Sequence, residues 1–129
     1  MSNYWRIKKL GIELKGVNSL KFGCKESLIH RIVKTVVCHN LFQFGHYFKT
    51  EEHVRKAMCD VIDLTTFTIY EIEVYPTPKK IREKLRSFRS RYINDVIIID
   101  LRKLKVDWQP LFELNDKVKR LLILDINYK

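Results

Sequence analysis

Residues 59–75, CDVIDLTTFTIYEIEVY, constrain this chain more than any other stretch. Residues of strand-forming type lie on either side of Thr65-Thr66, which predicts two strands joined by a short turn. The strands are expected over 58–64 and 68–74. Side chains two apart on a strand share a face, so Glu71 and Glu73 project together, opposite Tyr70, Ile72 and Val74. Carboxylates on an otherwise buried strand face are costly unless a proton or a cation meets them. Asp60 enters on the first strand as a third carboxylate. The stretch is therefore either a half-exposed strand pair with a polar face or a metal site.

The flanking sequence predicts an α/β chain. Leu28, Ile29, Ile32, Val33, Val36 and Val37 recur at helical spacing, which places a helix over 25–39 with Glu26 in its first turn, where a carboxylate suits the helix dipole. The aromatic-rich 41–50 reads as a strand with a bulge at Gly45, and 51–57 as a turn or the start of the next strand. Pro76 and Pro78 end the sheet, with Thr77 as N-cap of a helix over 79–92. Ile81, Leu85, Phe88 and Tyr92 form its apolar stripe. The apolar run Val96 to Ile99 predicts a strand over 95–101 covered on both faces. A helix over 108–119, capped by Asp107 and facing inward through Leu111, Leu114 and Val118, and a last strand over 121–126 complete the order. Residues 1–24 are the least legible: Tyr4, Trp5, Ile7 and Leu10 suit a short helix or an edge strand broken at Gly11, and GIELKGV suits a strand.

The 129 residues predict a single domain over 1–129, with 1–24 as an N-terminal extension. Lys and Arg outnumber Asp and Glu by 25 to 15, and the net charge of +10 attracts polyanions, of which nucleic acid is the commonest. No apolar run is long enough for a transmembrane helix and the N-terminus lacks a signal-peptide core, so a cytoplasmic protein with no membrane partner is expected. Cys24, Cys38 and Cys59 form no CxxC pair, which disfavours a disulfide framework and structural zinc. His30, His39, His46 and His53 are scattered and receive no role. Phe42, Phe44, Tyr47 and Phe48 are expected in the sheet core or an interface rather than as base-stacking platforms. Neither a Walker loop nor a Ser-His-Asp order is present.

The order of CDVIDL, YEIEV, the basic helix PKKIREKLRSF and the strand DVIIID resembles the core of the PD-(D/E)XK, or restriction-endonuclease-like, nuclease superfamily. It looks closest to small archaeal and mobile-element members, with Holliday-junction resolvases more distant. The resemblance covers 26–101. It implies an αβββαβ core with a mixed central sheet flanked by helices, here followed by a C-terminal helix and strand. It also implies a Mg²⁺- or Mn²⁺-dependent deoxyribonuclease, an endonuclease or resolvase-like enzyme. Asp60 matches the motif aspartate and Glu71 the motif (D/E), both as metal ligands; Glu26 matches an additional acidic position, with metal or water orientation as its role. The third motif position, usually lysine, is Glu73, so Lys79 or Lys80 from the next helix is expected to supply the cation. Lys79, Lys80, Arg82, Lys84, Arg86 and Arg89, with Arg55 and Lys56 flanking the scissile phosphate, are the expected nucleic-acid contacts. A homodimer fits the resemblance; branched or single-stranded DNA, and RNA, stay open as substrates. The other readings are a non-catalytic DNA-binding module on the same fold and a structural or protein-interaction domain.

Overall fold

The structure, a computed structural model, describes residues 3–128, with side chains described as far as 123. Residues 1, 2 and 129 of the expected domain lie outside the described residues. The chain is α/β, a four-stranded mixed sheet flanked by helices. The elements are α1 (Tyr4–Lys9), α2 (Leu28–Gln43), β1 (Phe48–Val54), β2 (Ala57–Asp63), β3 (Thr68–Glu73), α3 (Pro78–Ser87), β4 (Asp95–Asp100) and α4 (Gln109–Tyr128). The sheet order is β1-β2-β3-β4, antiparallel except for the parallel β3–β4 pair. No helix among the described residues is long and apolar enough to cross a membrane.

Helix α2 starts where Ser27 Oγ accepts a hydrogen bond from the His30 backbone N–H at 3.1 Å. Glu26 therefore precedes the helix rather than lying in its first turn. The helix runs beyond 39 because Leu41 continues its buried stripe. It ends on Gly45, whose φ of +76° lets His46 N–H reach Leu41 O at 2.9 Å and Gly45 N–H reach Phe42 O at 3.0 Å. This is a Schellman cap, so the expected strand over 41–50 is corrected to a helix end followed by β1. Phe42, Phe44 and Tyr47 are exposed around the cap and only Phe48 is buried.

The rest of the 51–57 stretch is the end of β1 and a two-residue turn, Arg55-Lys56, leading into β2. Asp63 shapes the β2–β3 turn by accepting from Thr65 N–H at 2.8 Å and from His46 Nδ1 at 2.7 Å. Among its described residues the N-terminal segment forms a short helix and no strand; Ile7, Leu10 and Ile12 close one side of the sheet with Ile62, Ile69 and Phe88. On the other side α2 packs Val33, Cys38 and Leu41 toward Phe48, Val61 and Ile72.

Three expectations beyond β3 change. Helix α3 has the expected Thr77 cap, with Thr77 Oγ accepting from Lys80 N–H at 3.2 Å, but it ends at Ser87. Asn94 N–H then reaches Phe67 O at 2.9 Å and draws the chain into β4. Strand β4 is an edge strand and only half-buried, so its apolar run is not covered on both faces. Residues 109–128 are one helix, not a helix and a strand, since after Pro110 in the first turn no breaker interrupts it. Asp107 does accept from Gln109 N–H at 3.1 Å, and Trp108 packs beside Val33 and Ile72. Leu114 and Val118, however, are exposed rather than inward.

Phe88, just past α3, is 2% exposed, whereas Leu85 is 42% exposed. Phe88→Ala is therefore expected to lower the unfolding free energy by about 3–5 kcal/mol, and Leu85→Ala by less than about 1 kcal/mol. Urea titration of the two variants checks this; equal losses would contradict the anchoring role of Phe88.

Candidate metal centre

The site begins where β2 and β3 separate. Their ladder holds Asp63 against Thr68, Ile62 against Ile69 and Val61 against Tyr70, and continues no further. At the next position, side chains replace the ladder. Asp60 N–H donates to Glu71 Oε2 at 2.7 Å, and Ile72 N–H donates to Asp60 Oδ2 at 2.7 Å. The two carboxylates thus sit in the fork and satisfy backbone donors that no strand partner meets.

An irregularity across β1 and β2 turns Asp60 toward α2. Glu51 has φ of +50°, a left-handed conformation that costs about 1–2 kcal/mol in a non-glycine residue. Phe48 and Val61 lie under α2, yet Val54 and Cys59 lie in the core beside α1, so the alternation of faces slips between them. The slip also brings Lys49 Nζ and Glu52 Oε2, three residues apart, to 3.0 Å. Glu51 and Asp60, opposite one another in this register, both meet α2.

What meets them is the polar part of the α2 stripe. His30 Nε2 lies 3.5 Å from Asp60 Oδ2, and His30 Nδ1 lies 3.3 Å from Glu26 Oε2. One ligand atom each from Glu26, His30 and Asp60 fall within 4.8 Å of one another. Lys34, one turn along and fully buried, places Nζ between Glu26 and Glu51 and donates to Lys21 O at 3.1 Å. On the other side of the fork, Lys84 of α3 pairs with Glu73 and lies 3.3 Å from Glu71 Oε1. A cleft of about 640 Å³ opens onto Glu26, His30, Asp60, Glu73, Lys80 and Lys84.

The electrostatics follow from burial and neighbours. Burial pushes the Glu71 carboxyl up to about 8; the nearby Asp60 adds to the rise and Lys84 offsets only part of it. Burial also acts to raise Asp60, but the bonds from His30 and Ile72 N–H outweigh it and hold that carboxyl below its ordinary value. His30 is raised above the ordinary imidazole value, chiefly by its bond to Asp60. For Lys34, burial is outweighed by Glu26 and Glu51, which raise it.

Asp60, Glu71, Glu73 and Glu26 thus come together, but not as one ligand set. Glu71 lies behind Asp60 and is occupied by a backbone donor and Lys84, while His30 joins Glu26 and Asp60. Of the expected cations, Lys80 lines the cleft and Lys79 does not. Lys84, one turn after Lys80 on the same helix face, is the one that reaches the glutamates. Arg82 is exposed on α3, away from the cleft lining. Arg55 and Lys56 lie at the far end of β2 and do not flank the carboxylates. His30 and Lys34 were missed because the expected stripe left them out, whereas the buried face of α2 is His30, Val33, Lys34, Cys38 and Leu41, with Val36 exposed; the Glu26–His30–Lys34 spacing of four residues was the available signal.

Two buried atoms bear on whether a cation fits here. Glu26 Oε2 and His30 Nδ1 face each other at 3.3 Å but neither makes a well-aligned hydrogen bond, and both residues belong to the Glu26–His30–Asp60 group. Comparison with protein-family models, curated proteins and solved structures gives no match.

The rise of Glu71 has a measurable sign. Its folded value of about 8 exceeds the unfolded value near 4.5, so the folded state keeps a proton that the unfolded chain has lost. The stabilisation is full below the unfolded value and is lost as pH rises through the folded one. In EDTA, wild type is expected to lose thermal stability from about pH 5 to about pH 8 more steeply than Glu71→Gln. Parallel pH profiles for the two proteins would contradict the assignment.

Proposed function

We propose that the chain is a divalent-metal-dependent nuclease of restriction-endonuclease-like fold that hydrolyses DNA phosphodiester bonds. The observation carrying this reading is the convergence of Glu26, His30 and Asp60 within 4.8 Å at a cleft mouth, where two central strands part. The αβββαβ order of α2, β1–β3, α3 and β4 supports it.

Glu26, His30 and Asp60 would hold the cation. Two carboxylates suit Mg²⁺ or Mn²⁺, and the imidazole nitrogen tilts the preference toward Mn²⁺. When bound, such an ion supplies Lewis acidity to a phosphoryl oxygen and a more acidic attacking water. Asp60 is kept ionised and oriented by Ile72 N–H and His30. Glu71 fixes the Asp60 backbone through its N–H. Lys84 would take the place expected for Lys79 or Lys80: held by Glu73 at the cleft, its ammonium would offset charge developing on a transferring phosphoryl group. Glu73 thus acts by placing a lysine rather than by being one. The exposed cations of α3 attract the DNA backbone, and binding weakens with salt.

A second reading, a DNA-binding module without catalysis, is favoured by one observation: Lys34 and Lys84 already pair with Glu26, Glu51 and Glu73. Plasmid cleavage separates the two. Cutting is expected with Mn²⁺ at least as fast as with Mg²⁺, and none in EDTA. Asp60→Asn, which keeps an acceptor for Ile72 N–H, is expected to lose about a hundredfold or more, and Lys84→Ala a comparable factor. Unchanged cutting by Asp60→Asn would sink the nuclease reading. Intact DNA with every metal, but salt-sensitive retention, would favour the binding module.

A further inference from the structure

A second cleft, of about 710 Å³, lies away from the carboxylates. It is bounded by the end of α1, the β1–β2 turn and the end of α3. Lys8, Lys9, Arg55, Lys56, Arg86 and Arg89 line it, and no carboxylate does. None of these six forms an ion pair among the described residues. All six are exposed, so water and salt screen their mutual repulsion to a small cost, and an anion in the space would meet only positive charge. Arg86 near the C-terminal end of α3 suits the helix dipole, but that accounts for one of the three elements only.

Two details show that the convergence is built rather than incidental. Arg55 N–H reaches Leu10 O at 3.4 Å, which ties the hairpin turn to the end of α1. Arg55 itself has φ of +61°, at the first position of a two-residue turn where glycine or asparagine is at ease. An arginine is thus held in a disfavoured backbone conformation at the centre of a basic cleft. The neighbourhood responds to the charge: the exposed Tyr92 hydroxyl is lowered by Arg91 first, and also by Lys9 and Arg55.

We propose that this cleft binds the phosphodiester backbone of a DNA strand, as a subsite separate from the carboxylate fork. Strand β2 links the two places. From Lys56 at the cleft to Asp60 at the fork is four residues, about 13 Å along a strand. That equals the rise of about four nucleotides at 3.4 Å each. A strand whose scissile phosphate met Asp60 would place a phosphate roughly four nucleotides away among the six cations. This register rests on the nuclease reading; backbone binding by the cleft does not.

Fluorescence anisotropy with a labelled 20-mer duplex in EDTA tests the subsite without cleavage. Arg55→Ala/Lys56→Ala and Arg86→Ala/Arg89→Ala are expected to weaken binding tenfold or more near 0.1 M salt. Each should reduce the log–log salt slope by about 1.8, the value for two lost phosphate contacts. Lys103→Ala/Lys105→Ala, which removes the same charge from residues outside the cleft, is expected to change neither by as much. The assay is run in EDTA and reads binding alone, so loss of the nuclease reading leaves this result standing. Arg55→Gly relieves the backbone conformation while removing the cation: higher thermal stability with weaker binding is the expected pair. Equal losses in the Lys103/Lys105 variant, retained binding in both cleft variants, or no binding by wild type would each overturn the proposal. Metal-dependent cutting with full DNA affinity in the cleft variants would overturn it while leaving the nuclease reading intact.

Discussion

The structure depends on a pair of hydrogen bonds at the fork between β2 and β3. Backbone groups in the centre of a sheet must find partners, and an orphaned buried N–H costs about 1–3 kcal/mol. Here Asp60 and Glu71 supply those partners from their side chains, each serving the opposite strand. The strands can therefore diverge without leaving donors unmet. Divergence is what opens room for the cleft, and it places two carboxylates at its root. Asp60 Oδ2 thus both finishes the sheet and faces His30 of α2.

Putting acids there requires compensation, and the chain provides it from both sides. Lys34 enters from α2 and Lys84 from α3, each bridging a pair of glutamates. A buried ammonium is costly alone and tolerable only with such partners. The result is a cleft of mixed sign at the fork, beside a cleft of one sign near α1. Helix α3 faces both, through Lys80 and Lys84 at one and through Arg86 at the other.

The carboxylate hairpin was legible because strand periodicity is short and unambiguous: Glu71 and Glu73, two apart, do share Lys84. The start of α3 was legible from Thr77-Pro78, a cap with a local mechanism. His30 and Lys34 were not, because the apolar residues of α2 point to a face that leaves both out, and only the tertiary approach of Asp60 and Glu51 gives them partners. The turn at Glu51 that delivers those partners is equally silent, since nothing about a glutamate announces a positive φ. The run Leu41 to Phe44 misled because aromatic residues favour strands, while the Gly45 cap that ends the helix resembles a bulge when seen in sequence. The continuous apolar run in β4 suggested full burial, but an edge position covers it only in part.

Helix α4 has a consequence of a different kind. Its exposed residues include Phe112, Leu114, Val118, Leu121 and Leu122, and its tie to the body is made near Trp108. Most helical stability in proteins comes from packing an apolar face, and the described side chains of α4 after Trp108 are mostly exposed. The described part of α4 therefore adds little packing to the sheet, and its amides are expected to exchange with solvent through local opening before those of β1–β3.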